Sequence, residues 1–286
     1  MTRAQQTCLI VALGAVLLGG WFGVCRSLGW HARLAENNYQ ANIIRLETFL
    51  DQRTPPAVLV GSSMTGRLLP EYFTATSLAG LANLGLDGST PDLGLDVVLR
   101  QKLPPALVLV EVNTLFNQTP RNDAALREAM DSFSFRLADR LPFLRAEYRP
   151  SSIAYSTLKL WQDRRLPPPP VTSAAERPAS LKPTVAVERE LPVANRPHAD
   201  QLLARLRELK ARGARVALYQ LPGGHQTLPP IVEEWSREFQ SPLIRLGPEM
   251  VQRGLTPAYT DGLHLTAPSA EQASRVLAEV VRTPKP

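Results

Sequence analysis

The sequence predicts an α/β protein, a three-layer α/β/α sandwich with a mostly parallel sheet, preceded by one N-terminal transmembrane helix. Two observations predict it. Short apolar runs (Ala57-Val58-Leu59-Val60, Ala106 to Val112, Arg215 to Leu221 and Leu243 to Leu246) alternate with stretches whose apolar residues recur near the helical period. An uncharged segment from Cys8 to Val24, about 17 residues long, stands at the short end of what can span a bilayer.

The N-terminal segment reads as a signal anchor, with Trp21, Phe22 and Trp30 near one interface; a cleaved signal peptide is the alternative. The charges on its two flanks, Arg3 before and Arg26 and Arg33 after, give no clear orientation. A leading helix follows over 35–50, with Tyr39, Ile43, Leu46 and Leu50 on one face. The first strand ends at Gly61-Ser62-Ser63, and Met64 to Leu69 is compatible with a helix. Pro91 opens the next helix, to Leu103, and Pro104-Pro105 separates it from the strand ending at Val112. Residues 121–130 read as helical. Leu202, Leu203, Leu206 and Leu209 define a helix closed by Gly213, and helices follow over 230–239 and 270–281.

The alternation breaks between Pro142 and Pro197, which hold ten prolines including the run Pro167 to Pro170. This reads as a proline-rich insertion at about 142–197, either a surface excursion or a lid or docking arm. In the second case Arg145, Arg149, Arg164 and Arg165 would suit an acidic glycan or a lipid surface. The division is therefore 1–34, anchor and flank, and 35–286, an α/β domain carrying the insertion.

A chain of 286 residues with 44% hydrophobic content can bury a full core. The net charge of +6 comes from dispersed arginines without interleaved aromatics, which argues against nucleic acid as a partner. The two cysteines, Cys8 and Cys25, flank the apolar segment, so the body has neither an internal disulfide nor a cysteine metal site. Cys25 does not fit an acylated lipoprotein cysteine, because Val24 stands where a small residue is expected. No zinc motif, P-loop or dinucleotide fingerprint is present, so neither metal nor cofactor is expected. His31 and His198 have no carboxylate or second histidine at ligand spacing, and His225 reads as a loop histidine.

Ser63 follows a strand, and Asp261-Gly262-Leu263-His264 closes the domain. A serine is a weak nucleophile until an imidazole takes its proton and a carboxylate orients the imidazole, and Asp261 and His264 supply that pair. Four stretches together resemble the SGNH/GDSL hydrolase superfamily. Val58 to Ser63 is similar to its first block, with Ser62 where many members have aspartate and Ser63 at the nucleophile position. Asn83 to Thr90 resembles the second, whose N-x-x-x-x-G-x-T pattern puts Gly88 at an oxyanion-hole position. Val108 to Asn113 resembles the third, although the usual Gly-x-Asn-Asp is absent and aligning Asn113 with it needs a shift in register. Tyr259 to Thr266 fits the last block without a gap. Glu111 either braces a nearby loop or marks where its strand reaches solvent.

The resemblance implies an SGNH-hydrolase-like, flavodoxin-like fold and two-step acyl transfer. The catalytic residues would be Ser63, Asp261 and His264, and the oxyanion hole would be formed by Ser63, Gly88 and Asn113. Similar membrane-anchored proteins act beside a membrane-bound O-acyltransferase on exopolysaccharides or cell-wall polymers. The expected protein is thus a single-pass inner (plasma) membrane acyltransferase or acylesterase. Its catalytic domain would face the periplasm or cell exterior, and its substrate would be a polysaccharide or acyl ester. A non-catalytic assembly factor with the same fold is the alternative.

Overall fold

The computed structural model describes residues 1–32, 35–52, 54–116, 122–163, 195–223 and 228–282. The chain divides into two compact units, one of residues 1–51 and 125–168, the other of residues 52–124 and 169–286.

The second unit is built on five parallel strands: β1 (Ala57–Ser62), β2 (Ala82–Leu86), β3 (Leu107–Glu111), β4 (Arg215–Gln220) and β5 (Ile244–Arg245). Their spatial order is β2-β1-β3-β4-β5. Strand direction and order make this a parallel α/β fold of the 2-1-3-4-5 kind. β1 and β3 are buried at every position, so they read as continuous apolar runs rather than alternating ones.

Helices cover both faces of the sheet. On one face Ala57, Leu59, Leu107, Leu109, Ala217 and Tyr219 join a core with Met250 of α9 (Leu246–Gln252) and Ala270, Ala273 and Leu277 of α10 (Ala267–Arg282). On the other, α3 (Pro91–Arg100) lies against β1 and β2, and α7 (Arg196–Ala211) against α3 and β4. α3 can approach so closely because residue 94 is glycine; a Cβ there would press on Val60 Cγ1. α8 (Pro230–Glu238) buries Val232 and Trp235.

The strand order reverses direction of growth between β1 and β3, and the carboxyl ends of those strands are Ser62 and Glu111. In open parallel sheets that switch point is where ligands bind.

The helical unit starts with α1 (Arg3–Leu28), long and apolar enough to cross a membrane, with mean hydropathy 2.3 over its most apolar window. Thr2 and Gln5 form a reciprocal capping box at its start. Gly29 at φ 65° ends it, with the Trp30 N–H donating to the Cys25 carbonyl at 2.7 Å. The rest of this unit is α2 (Asn38–Asp51), most of α4 (Asp123–Asp131), α5 (Phe133–Arg140), two 3-10 turns (Pro142–Leu144 and Ala146–Tyr148) and α6 (Pro150–Asp163).

Two expectations change here. The stretch expected as a proline-rich break in the alternation forms two 3-10 turns and a helix over 142–163, while 164–194 lie outside the described residues. Arg145 is not a surface cation, being 3% exposed and paired with Asp51 at 2.7 Å. Its neighbour Ala146 donates its N–H to Glu47 Oε2 at 2.8 Å, so the 3-10 turn is tied to α2.

Candidate functional site

The chain leaves β1 in a tight turn, Ser63-Met64, followed by a 3-10 turn (Thr65–Arg67) and a second one (Pro70–Phe73), not the helix expected over 64–69. Asn83 explains why. Its amide donates to the carbonyls of Thr65 at 2.9 Å and Leu68 at 2.7 Å, which a continuing helix would need for itself, and its Oδ1 accepts the Gly85 N–H at 2.6 Å. Residue 85 must be glycine, because a Cβ there would overlap the Gly66 backbone.

Beneath this turn sits Glu111, fully buried at the end of β3. Its Oε2 accepts the Ser62 N–H at 2.8 Å, the Thr65 hydroxyl at 2.6 Å and the Thr65 N–H at 3.3 Å. Its Oε1 accepts the Ser62 hydroxyl at 2.9 Å and the Thr114 hydroxyl at 3.3 Å. The sequence left Glu111 as brace or solvent-exposed strand end, and the burial decides for the brace. Since the Thr65 hydroxyl proton is spent on Glu111, Tyr219 must donate to Thr65 Oγ1, 2.5 Å away. Burial, and then the neighbouring Glu111 carboxylate, push the Tyr219 hydroxyl well above the ordinary tyrosine value, so it keeps its proton. Gly61 completes the packing, because a Cβ there would overlap both Thr65 Oγ1 and the Glu111 carboxylate.

Held by this platform, the half-buried Ser63 presents its Oγ 2.8 Å from His264 Nε2, across a sequence separation of 201 residues. His264 Nδ1 lies 2.6 Å from Asp261 Oδ2. Asp261 Oδ1 accepts the backbone N–H groups of Leu263 at 3.0 Å and His264 at 2.7 Å, which fixes the carboxylate relative to the imidazole it faces. Gly262, at φ 77°, lets the chain reverse between them. Partial burial pushes the Asp261 carboxyl up, but the hydrogen bonds from the His264 backbone, the His264 ring and the Leu263 backbone outweigh it and hold the group below its ordinary value. With Asp261 ionised, Nδ1 carries the hydrogen and Nε2 faces serine as an acceptor.

Gly88 follows β2 two residues beyond Leu86, the register partner of Ser62, so the loops carrying Gly88 and Ser63 leave the same carboxyl end of the sheet. It has φ 68° and its carbonyl accepts the Asn122 N–H at 3.3 Å. Asn122 also donates to the Asp87 carbonyl at 2.8 Å, and Ser89 donates to Asp123, so this loop is tied down on both sides of Gly88.

Asn113 departs from its expected part. Both of its amide hydrogens are committed, to the carbonyls of Leu221 and Gly223 at 3.1 Å each, and its Oδ1 accepts the Leu221 N–H at 2.8 Å. The side chain braces the loop after β4, and no hydrogen is left over for an oxyanion.

His198 Nε2 lies 3.2 Å from the Leu115 carbonyl and 3.4 Å from Asp92, while His225 lies outside the described residues. Sequence reasoning missed Thr65 and Tyr219. The signal for Tyr219 was a hydroxyl inside the otherwise apolar run Val216-Ala217-Leu218-Tyr219; nothing in the sequence marked Thr65.

The chain matches none of the family models and none of the curated proteins with which it was compared.

Proposed function

We propose that the protein is a membrane-anchored serine acyltransferase or acylesterase of the SGNH kind, acting on O-acyl groups, most simply O-acetyl, of an extracytoplasmic polysaccharide. One observation carries the reading: Ser63, His264 and Asp261 form a continuous hydrogen-bonded relay at the carboxyl edge of a parallel sheet, beside its switch point. In this reading His264 Nε2 takes the Ser63 proton as Oγ attacks the ester carbonyl. Asp261 stabilises the imidazolium, and the backbone N–H groups of Ser63 and Gly88 are the candidate oxyanion donors. The acyl-serine is then resolved by water or by a sugar hydroxyl. α1 would tether the site as a single span of the inner (plasma) membrane, facing the periplasm or cell exterior, beside a membrane-bound O-acyltransferase.

The test is incubation of the full chain in lipid nanodiscs with an activated acetyl ester and a glycan acceptor, with free acetate and acetylated sugar measured separately. Wild type forms one of them and Ser63→Ala forms neither. Equal rates in the two proteins would refute the reading.

The commitment of Asn113 to the loop after β4 favours a second reading, a non-catalytic factor that assembles a polysaccharide export or acyltransfer complex. Covalent labelling of Ser63 by a fluorophosphonate separates the two, since only a working relay makes that serine reactive.

A further inference from the structure

α6 buries serines most deeply and exposes large apolar side chains. Ser152 is 1% and Ser156 3% exposed, beside the half-buried Ile153, Tyr155 and Leu160, and Ser152 accepts a hydrogen bond from Gln40 Nε2 at 2.7 Å. Its outward positions include Leu158, 66% exposed, and Trp161, 55% exposed, with Ala154 one turn before Leu158. Pro150, Ser151, Thr157 and Gln162 complete the exposed face among the described positions, and none of them is charged. A helix that faces water normally shows the reverse pattern, with charges outward.

The place of α6 within its unit gives this face an occupant. The Trp21 indole N–H donates to the Tyr148 carbonyl at 2.7 Å, and the Phe22 and Tyr148 rings meet edge to face at 4.9 Å. Trp21 is three residues short of Val24, where the apolar segment of α1 ends, so this contact lies about 5 Å inside that end at 1.5 Å per residue. Pro150 starts α6 two residues after Tyr148. Where α1 crosses a bilayer, the helix therefore begins at the depth at which α1 leaves hydrocarbon. At 14 residues, about 21 Å, it is too short to cross a bilayer and has the length and composition of a segment lying in the interface. Arg149, exposed just before it, can reach the headgroups from there.

We infer that α6 is an interfacial helix whose Ala154, Leu158 and Trp161 face rests in the lipid headgroup and upper acyl layer, a second membrane contact besides α1. The occupant is the bilayer surface; most residues of α1 are exposed, Trp21, Phe22 and Cys25 being the main exceptions, so this unit already presents a second apolar surface suited to lipid.

The test uses the full chain in phosphatidylethanolamine and phosphatidylglycerol vesicles. It carries a nitroxide on Leu158→Cys in a Cys8→Ser background, with the buried Cys25 retained and the same chain without Leu158→Cys reporting residual labelling. Collision with oxygen should exceed collision with an aqueous nickel complex severalfold, and the reverse should hold for a label on the exposed Glu71→Cys. Ala154→Cys repeats the measurement from the neighbouring turn. Preference for the nickel complex at both α6 positions overturns the inference. Exclusion of both reagents overturns it as well, because it shows that a protein covers the face.

Discussion

Asp261→Asn tests the relay most sharply, because the structure dictates which way the amide must turn. Asp261 Oδ1 accepts two backbone N–H groups, from Leu263 at 3.0 Å and His264 at 2.7 Å, whereas among the described residues Oδ2 serves only His264 Nδ1. An asparagine with its NH2 toward the backbone would lose two hydrogen bonds and set N–H against N–H, at about 0.5–1.5 kcal/mol for each lost bond at this exposed site. With its NH2 toward the ring it keeps both backbone bonds, and a change of tautomer restores the third. The second orientation wins by roughly 1–3 kcal/mol. Nδ1 then becomes the acceptor and Nε2 carries the hydrogen, so it donates to Ser63 Oγ instead of accepting from it. The serine proton has no base. The same exchange in a Ser–His–Asp triad on another fold costs about 10⁴ in turnover, or about 5 kcal/mol, and that loss is expected here in kcat with KM changed only a few-fold. Hydrolysis of a p-nitrophenyl ester by the full chain in nanodiscs measures both. A kcat within about tenfold of wild type would refute the tautomer argument.

Ser63→Ala should abolish turnover. Ser62→Ala should retain it while lowering stability by about 1–3 kcal/mol, because Glu111 loses a hydroxyl donor inside the core; equal loss of activity in both would contradict the division of labour. Gly61→Ala forces a Cβ onto Thr65 and Glu111 and should cost about 3 kcal/mol in thermal or denaturant unfolding, so an unchanged midpoint would mean that the turn is not held as described. Glu47 supplies a pH test. Burial raises its carboxyl from 4.5 to about 7 against the Ala146 N–H, Arg149 and Arg145, with Glu147 adding to the rise. A raised folded-state value means stability present below about pH 4.5 and lost as pH climbs through 7, by up to about 3 kcal/mol. Glu47→Gln, which keeps an acceptor for Ala146, should flatten that slope and raise the melting temperature at pH 8; parallel slopes would count against it.

The three central strands were legible because they are buried at all positions but Arg215 and are therefore written as largely apolar runs: 57–62, 107–111 and 215–220 fall within a residue or two of the expected spans. β2 was not, since Ala82-Asn83-Leu84-Gly85-Leu86 contains the two residue types least suited to a strand. Both serve the neighbouring turn, Asn83 by taking its carbonyls and Gly85 by giving its backbone room. The short helix expected after Ser63 failed for the same reason, as local propensity cannot register an acceptor claimed by a residue 15 positions away. α5 and α6 escaped notice because prolines surround them and the most deeply buried positions of α6 are serines. The geometry around Ser63, Asp261 and His264 was readable as three residue types in order. The platform beneath them was readable only at Glu111, because Tyr219 reaches it through parallel register and Thr65 through the turn after β1.

Glu111 also explains why the serine turn can be so irregular. A buried carboxylate is tolerated only when its lone pairs are filled, and here two hydroxyls and two N–H groups from the Ser62-to-Thr65 turn fill most of them. The turn forgoes the hydrogen bonds of a helix, and Glu111 and Asn83 together replace them. Because β1 and β3 are adjacent and in register, with Val60 opposite Val110, Glu111 comes up beside Gly61 at the point where the chain must bend. The residue that bends the chain is thus carried by one strand and the serine it positions by the next. A change at either strand end reaches the Ser63 hydroxyl without touching the His264–Asp261 pair, so substitutions at Glu111 should alter the reactivity of Ser63 while leaving the hydrogen bond between His264 and Asp261 in place.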